Sequence, residues 1–229
     1  MAGVERRKKV KFKTIEIKSS EIKPVEKSYR YVLGEYNGGE TMYFIGINPS
    51  RATLKDGDLK NDLLENNIQT SINGKVEDDP TIELIRSIAN ENESSWVMLN
   101  IYPERASKVE CLPNCHDISV HMQNIDRIKN VVMNNSLIVA MWGDSIEKRN
   151  YFINCLQDIV NELKDKNIKW KYIEKTDKDN PIHPLYYKHK GKKGLEELKK
   201  HSSVLKDFSV EEYLNKKVTQ PRIKKLSDS

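Results

Sequence analysis

Three short apolar runs stop abruptly at Asn or Gly: Phe44-Ile45-Gly46-Ile47-Asn48-Pro49-Ser50, Val97-Met98-Leu99-Asn100-Ile101-Tyr102-Pro103 and Leu137-Ile138-Val139-Ala140-Met141-Trp142-Gly143. Runs without polar alternation fit strands buried on both faces of a parallel sheet. Arg30-Tyr31-Val32-Leu33 predicts an earlier strand, turning at Asn37-Gly38-Gly39 into a return strand from Met42 to Ile47, and Lys169 to Ile173 predicts a last one. Helical spacing fills the intervals. Ile82, Leu84, Ile85 and Ile88 follow Asp79-Pro80, where Asp caps free amides and Pro suits the first helical position. Ile118, Met122, Ile125, Ile128 and Val132 form a second apolar face, and Tyr151, Phe152, Cys155, Ile159 and Leu163 a third. Strands alternating with helices predict an α/β fold: a three-layer α/β/α sandwich around a short, mainly parallel central sheet. In such sheets ligands bind beyond the strand C-termini. Asn48, Asn100, Trp142 and the His183 of Asn180-Pro181-Ile182-His183-Pro184-Leu185-Tyr186-Tyr187 are therefore expected to converge at one sheet edge.

Composition narrows the class. The 229 residues suit one domain with tails, read as a basic arm over residues 1–28, an α/β domain over 29–205 and a basic tail over 206–229. A core is within reach at 37% hydrophobic residues, while 32% charged residues and a mean hydropathy of -0.71 imply a heavily solvated surface. No apolar run is long enough to span a bilayer and no secretory signal opens the chain, so a cytoplasmic protein with no membrane partner is expected. Cys111, Cys115 and Cys155 make no disulfide framework; reduced thiols are expected, with Cys111 and Cys115 short of a four-ligand metal site. The net charge of +5 is unevenly spread. Arg6, Arg7, Lys8, Lys9, Lys11 and Lys13 lie near one end, and Lys188, Lys190, Lys192, Lys193, Lys199, Lys200, Lys216, Lys217, Arg222, Lys224 and Lys225 towards the other. Such ends either neutralise phosphates or serve only as solvated termini.

The motifs together resemble a family. Gly46-Ile47-Asn48-Pro49 is similar to the G-I-N-P-G motif of the mismatch-specific and thymine branch of the uracil-DNA glycosylase superfamily. Met98-Leu99-Asn100 resembles the L-L-N strand end of the uracil enzymes, Met141-Trp142-Gly143 their L-W-G strand end, and His183-Pro184 the start of their H-P-S-P loop. A nearer resemblance is to a bacterial and phage family of unknown function, family 1643. It rests on the I-G-x-N-P-S segment, Asp78-Asp79-Pro80-Thr81, the N-x-x-P-x-R-A stretch from Asn100 to Ala106, the Trp-Gly pair and the H-P-L-Y loop.

The glycosylase resemblance implies a metal- and cofactor-free hydrolysis of an N-glycosidic bond, removing an altered or mismatched base from nucleic acid, most naturally DNA, by a monomer. Asn48 would orient the water and His183 would donate to the departing base. Gly46, Ile47, Pro49, Ser50, Asn100, Tyr102 and Trp142 would surround the base, and Arg51, Arg105 and Lys188 would meet phosphates. Each residue also has a plain structural reading. Asn48-Pro49 suits a turn, Asn100 a loop cap, His183 a loop contact, Trp142 the core, and Arg105 a surface ion pair. Asp79 is explained by helix capping more simply than by a metal. Ser50 stands where the glycosylase motif has Gly, and Leu185 where its loop has Ser. Two other functions are compatible with the motifs: a non-catalytic module binding a nucleotide or modified base in phage–host conflict, and a hydrolase of free nucleosides or nucleotides.

Overall fold

The computed structural model describes residues 11–18, 28–36, 39–49, 70–72, 80–184, 186 and 205–219. Its strands are β1 (Lys11–Lys18), β2 (Ser28–Tyr36), β3 (Thr41–Gly46), β4 (Thr70–Ile72), β5 (Ser95–Asn100), β6 (Leu137–Ala140), β7 (Lys169–Tyr172) and β8 (Lys206–Asp207). They form one eight-stranded sheet in the order β4-β1-β2-β5-β3-β6-β7-β8. The central strands β5, β3, β6 and β7 are parallel, while β4, β1 and β2 on one flank and β8 on the other run antiparallel to their neighbours. The sheet is thus mixed and wider than the short, mainly parallel one expected. Among the parallel strands, β3 comes first in the chain, β5 second and β6 third, so the winding reverses between β3 and β6. A crevice outside the C-terminal ends of β3 and β6 follows from that reversal.

The helices are α1 (Pro80–Glu91), α2 (Ile118–Val131), α3 (Tyr151–Leu163) and α4 (Val210–Thr219). One sheet face, carrying Met42, Phe44, Trp96, Met98 and Val139, packs on Ile82, Ile85 and Ile88 of α1. The opposite face, carrying Tyr43, Ile45, Val97, Leu99, Ile138 and Ala140, packs on α2, α3 and α4. Side chains alternate between these two covered faces, which is why the strands read as unbroken apolar runs. Each fully buried Ile or Leu contributes about 1.5–3 kcal/mol. No helix among the described residues is long and apolar enough to cross a membrane. Cys111 and Cys115 are exposed free thiols and Cys155 is a buried one.

The structure differs from the sequence reading in four respects. Lys11–Lys18, read as part of a mobile arm, is strand β1 paired with β2; its high charge conceals a strand-like mixture of Phe12, Ile15 and Ile17 with polar residues. β2 and β3 do not pair as a hairpin, because β5 lies between them, antiparallel to β2 and parallel to β3. Residues 206–229 were read as a tail, yet β8 and α4 within them belong to the fold. Val210, Tyr213 and Leu214, at helical spacing, are buried against the α3 side of the core. Finally, α2 is rotated from the face its apolar residues suggest: Ile118 and Met122 are 70% and 57% exposed, while His121 and Asn124 point inward. The Asn124 side chain donates from Nδ2 to the backbone oxygens of Asn100 (2.8 Å) and Ile101 (3.3 Å), and this polar anchor fixes the helix orientation.

Candidate functional site

A cavity of about 550 Å³ opens beyond the C-terminal ends of β3 and β6. Ile47 and Asn48 enter it from the end of β3, and Trp142, Gly143 and Asp144 from the end of β6. Met98 of β5 and Arg30 of β2 reach it from the neighbouring strands, residues 106–110 form a facing wall, and Ile182 and His183 close one side. The loops after β3 and β5 extend the sheet as a rigid platform. The amides of Ile101 and Tyr102 donate to the oxygens of Gly46 and Ile47, both at 2.9 Å, and the Ala106 amide donates to Pro49 O at 3.2 Å.

Asn48 is held in one orientation. Its Nδ2 donates to Pro49 O (3.1 Å) and Ala106 O (3.0 Å), which uses the amide's donor side. Oδ1 is thereby turned to act as an acceptor, and no described residue donates to it. Asn100 is the register partner of Gly46 and is fully buried. Among the described residues neither its Nδ2 nor its Oδ1 has a hydrogen-bond partner. Leaving such a group unsatisfied costs about 1–3 kcal/mol. Two residues beyond Met98, Asn100 shares the sheet face of that cavity-lining side chain. A Cβ at Gly46 would meet Met98 Cε at 2.7 Å, so the flexible end of that side chain would have to move aside.

The Trp-Gly pair is explained by its contacts. Gly143 adopts φ +61°, donates its N–H to Pro181 O at 2.7 Å, and lies so close to His183 that a Cβ would meet His183 Cβ at 3.0 Å. Only Gly takes both this backbone conformation and this approach without strain, and it seats the His183 loop against β6. Trp142 borders the cavity but is fully buried, its ring packed on Phe208 and Tyr213 and its Nε1 donating to Tyr213 Oη at 3.2 Å. It therefore serves as a wall anchored in the core.

Asn48, Ile47, Trp142 and His183 thus line one cavity, with Asn100 and Gly46 behind its strand ends. Other candidates are placed elsewhere. Tyr102 is fully buried on the α2–α3 side, where its hydroxyl accepts from the Asp117 amide at 3.1 Å and its ring meets Tyr151 edge-on, so it does not line the cavity. Burial pushes its phenol well above the usual tyrosine value. Pro49 is buried with its carbonyl engaged by Asn48 and Ala106, and Arg105 is not at the cavity wall. Ser50, Arg51, Asp78, Asp79, Leu185, Tyr187 and Lys188 lie outside the described residues.

The sequence reading missed Arg30, Asp144 and Thr176 at the wall and Asn180 behind it. Asp144 directly follows the Trp-Gly pair and Asn180 opens the His183 segment, so position beside a motif was the available signal. At the rim, Lys148 pairs with Glu110 at 2.6 Å and draws the Glu110 carboxyl below its usual range; both are exposed, so the pair shapes the opening more than it stabilises it. Arg149 straps the same wall, donating from Nη2 to Glu110 O (2.8 Å) and Leu112 O (2.9 Å). No group of three or more His, Cys, Asp or Glu side chains among the described residues is placed to hold a metal ion.

Comparison with known families adds one finding. A family model described as a protein of unknown function, DUF1643, matches residues 30–185. The chain belongs to DUF1643. No curated protein and no solved structure matches it. The DUF1643 match runs from β2 to the His183 loop and so includes both strand ends that frame the cavity, whereas α4 lies beyond it.

Proposed function

We propose that this DUF1643 protein hydrolyses the N-glycosidic bond of an altered or mismatched base in nucleic acid, as a distant relative of the uracil-DNA glycosylase superfamily built on its three-layer α/β/α plan. The observation that carries this reading is Asn48 at the cavity wall, with its donor side pinned and its carbonyl open to an incoming group. A base edge presents matching acceptors and donors in one plane, which is what a carboxamide reads. The cavity's roughly 550 Å³ lies within the size range of small-ligand pockets.

Cleaving the bond sends an electron pair from the glycosidic bond onto the base and leaves positive charge on the sugar. Asn48 Oδ1 orients the attacking water by accepting its hydrogen bond without taking its proton; the water oxygen bonds the anomeric carbon, and the proton it sheds passes through solvent to the departed base. Asn100, fully buried behind the strand ends, lies outside the cavity lining and makes no direct contact with the base. His183, also in the cavity lining, donates to the base as negative charge grows. The base must leave its stack to reach this depth, and DNA is the expected partner. The weak basicity of Asn48 also supports a second reading, a base-binding module without turnover.

The test is a panel of duplex and single-stranded oligonucleotides bearing altered or mismatched bases, assayed for alkali-labile abasic sites. Strand breakage after alkali at one class of base supports the hydrolase. Tight binding of that class with no abasic sites supports the module, and neither binding nor cleavage refutes both.

A further inference from the structure

Asp144 stands at the cavity wall in the 3₁₀ turn Gly143–Lys148. One of its oxygens is fully committed: Oδ1 accepts from Thr176 Oγ1 at 2.6 Å and from Asn180 Nδ2 at 2.8 Å. Oδ2 accepts from no described residue. Asn180 is held as firmly as the carboxylate it holds. It is fully buried, its Nδ2 also donates to Glu147 Oε1 at 2.9 Å, and its Oδ1 accepts from Tyr213 Oη at 2.8 Å. Tyr213 in turn accepts from Trp142 Nε1. This continuous series leaves the Asn180 amide a single orientation, and through it fixes the Asp144 carboxylate. A carboxylate accepts hydrogen bonds and donates none, and its charge opposes carbonyl and phosphate oxygens.

We propose that Asp144 is a specificity-determining residue that accepts a hydrogen bond from an amino group on the bound base, so that the cavity favours amino-bearing bases over their oxo counterparts. This rests on the base-binding reading above. Asn180 and Tyr213 are positioning residues for it, and Tyr213 comes from α4, outside the span matched by the family.

The test is equilibrium binding of the full chain to oligodeoxycytidylate and oligodeoxyuridylate of equal length, and to oligodeoxyadenylate against oligodeoxyinosinate. Each pair shares its backbone, so phosphate and sugar contributions cancel and the members differ only on the base edge, where the amino group becomes an oxo acceptor and the adjacent ring nitrogen becomes an N–H donor; Asp144 opposes the oxo oxygen and accepts from the amino group. The wild-type protein is expected to prefer the amino member of each pair by about tenfold or more. Asp144→Asn places a donor beside the ligand and is expected to abolish or reverse the preference at an unchanged melting temperature. Tyr213→Phe is expected to weaken it. A wild-type protein that binds both members equally, or an Asp144→Asn variant that keeps the wild-type preference, overturns the proposal and leaves base binding standing. A wild-type protein that binds none of the four overturns this proposal, while the base-binding reading itself is decided by the panel of altered and mismatched bases. Should Asp144→Asn fail to fold, Thr176→Val, which removes only the hydroxyl bonded to Oδ1, is expected to lower the preference, and an undiminished preference overturns the proposal.

Discussion

Asn100 and Asn124 are buried amides with different work to do. Asn124 spans from α2 to the backbone beyond β5, and its removal leaves the oxygens of Asn100 and Ile101 without that donor. Asn124→Leu is expected to cost about 1–3 kcal/mol, seen as a lower midpoint in urea unfolding. Among the described residues neither side-chain amide atom of Asn100 has a partner. Asn100→Leu is therefore expected to leave the melting temperature unchanged or raise it by a few degrees. A large loss of stability in Asn100→Leu would show that the amide is structural. The strand ends themselves were legible, since apolar runs stop where side chains leave the core; that Asn48 is pinned depends on its bond to the oxygen of Ala106, 58 positions away, which no local pattern encodes.

At the scale of elements, α4 is the segment whose role was least legible. Val210, Tyr213 and Leu214 carry a correct apolar stripe, but the surrounding lysines made the segment read as a solvated tail. Lys217 is in fact paired with Glu147 at 2.8 Å. Leu214 is fully buried, so Leu214→Ala is expected to destabilise the protein by about 2–5 kcal/mol in chemical denaturation. A change below about 0.5 kcal/mol would mean that α4 is not docked. β2 is a second case. Between Thr14↔Leu33 and Glu16↔Arg30 the register shifts, with one residue more on β2 than on β1. The bulge lets the successive residues Tyr31 and Val32 both join the core on the α2–α4 face, where strict alternation would send one of them to the other face. By contrast α1, α3 and the central strands followed their periodicity, because one stripe or two covered faces decided each of them.

For the whole molecule, titration bounds stability on both sides. Burial alone would raise the Glu147 carboxyl, but hydrogen bonds from Asn180 and Lys217 outweigh it and lower the pKa below the usual 4.5. A depressed carboxyl stabilises the fold above its unfolded value, and that stabilisation is lost as pH falls through the folded value. Asp179, lowered below 3.8 by its hydrogen bond from Lys175, acts in the same direction. Burial raises the phenols of Tyr31, Tyr102, Tyr151 and Tyr213 and lifts Tyr29 to about 12. Their neutral forms favour the fold fully below the unfolded value of 10.0, and this contribution is lost as pH rises from there through the folded values. The melting temperature is thus expected to hold a plateau near neutrality, falling below about pH 4.5 and above about pH 10; a flat alkaline limb would contradict the burial of the tyrosines. Charge extends the argument to nucleic acid. Residues 1–10 precede β1 and carry Arg6, Arg7, Lys8 and Lys9. If all four meet phosphates, deleting residues 1–10 should reduce the slope of log binding constant against log salt by about 3–4. An unchanged slope would remove that segment from the nucleic-acid contact.

The central claim is that Asn48 and His183 act on a base held in the cavity beyond β3 and β6. The direct measurement is the single-turnover rate of base release from the oligonucleotide panel by the wild-type protein, Asn48→Ala and His183→Ala, with melting temperatures recorded alongside. The account predicts release of one class of base by the wild-type protein and a loss on the order of a hundredfold or more in each variant, with the melting temperature nearly unchanged in His183→Ala and modestly lowered in Asn48→Ala, which loses its bonds to the Pro49 and Ala106 oxygens. No release of any base by the wild-type protein, or release by both variants at the wild-type rate, would contradict it.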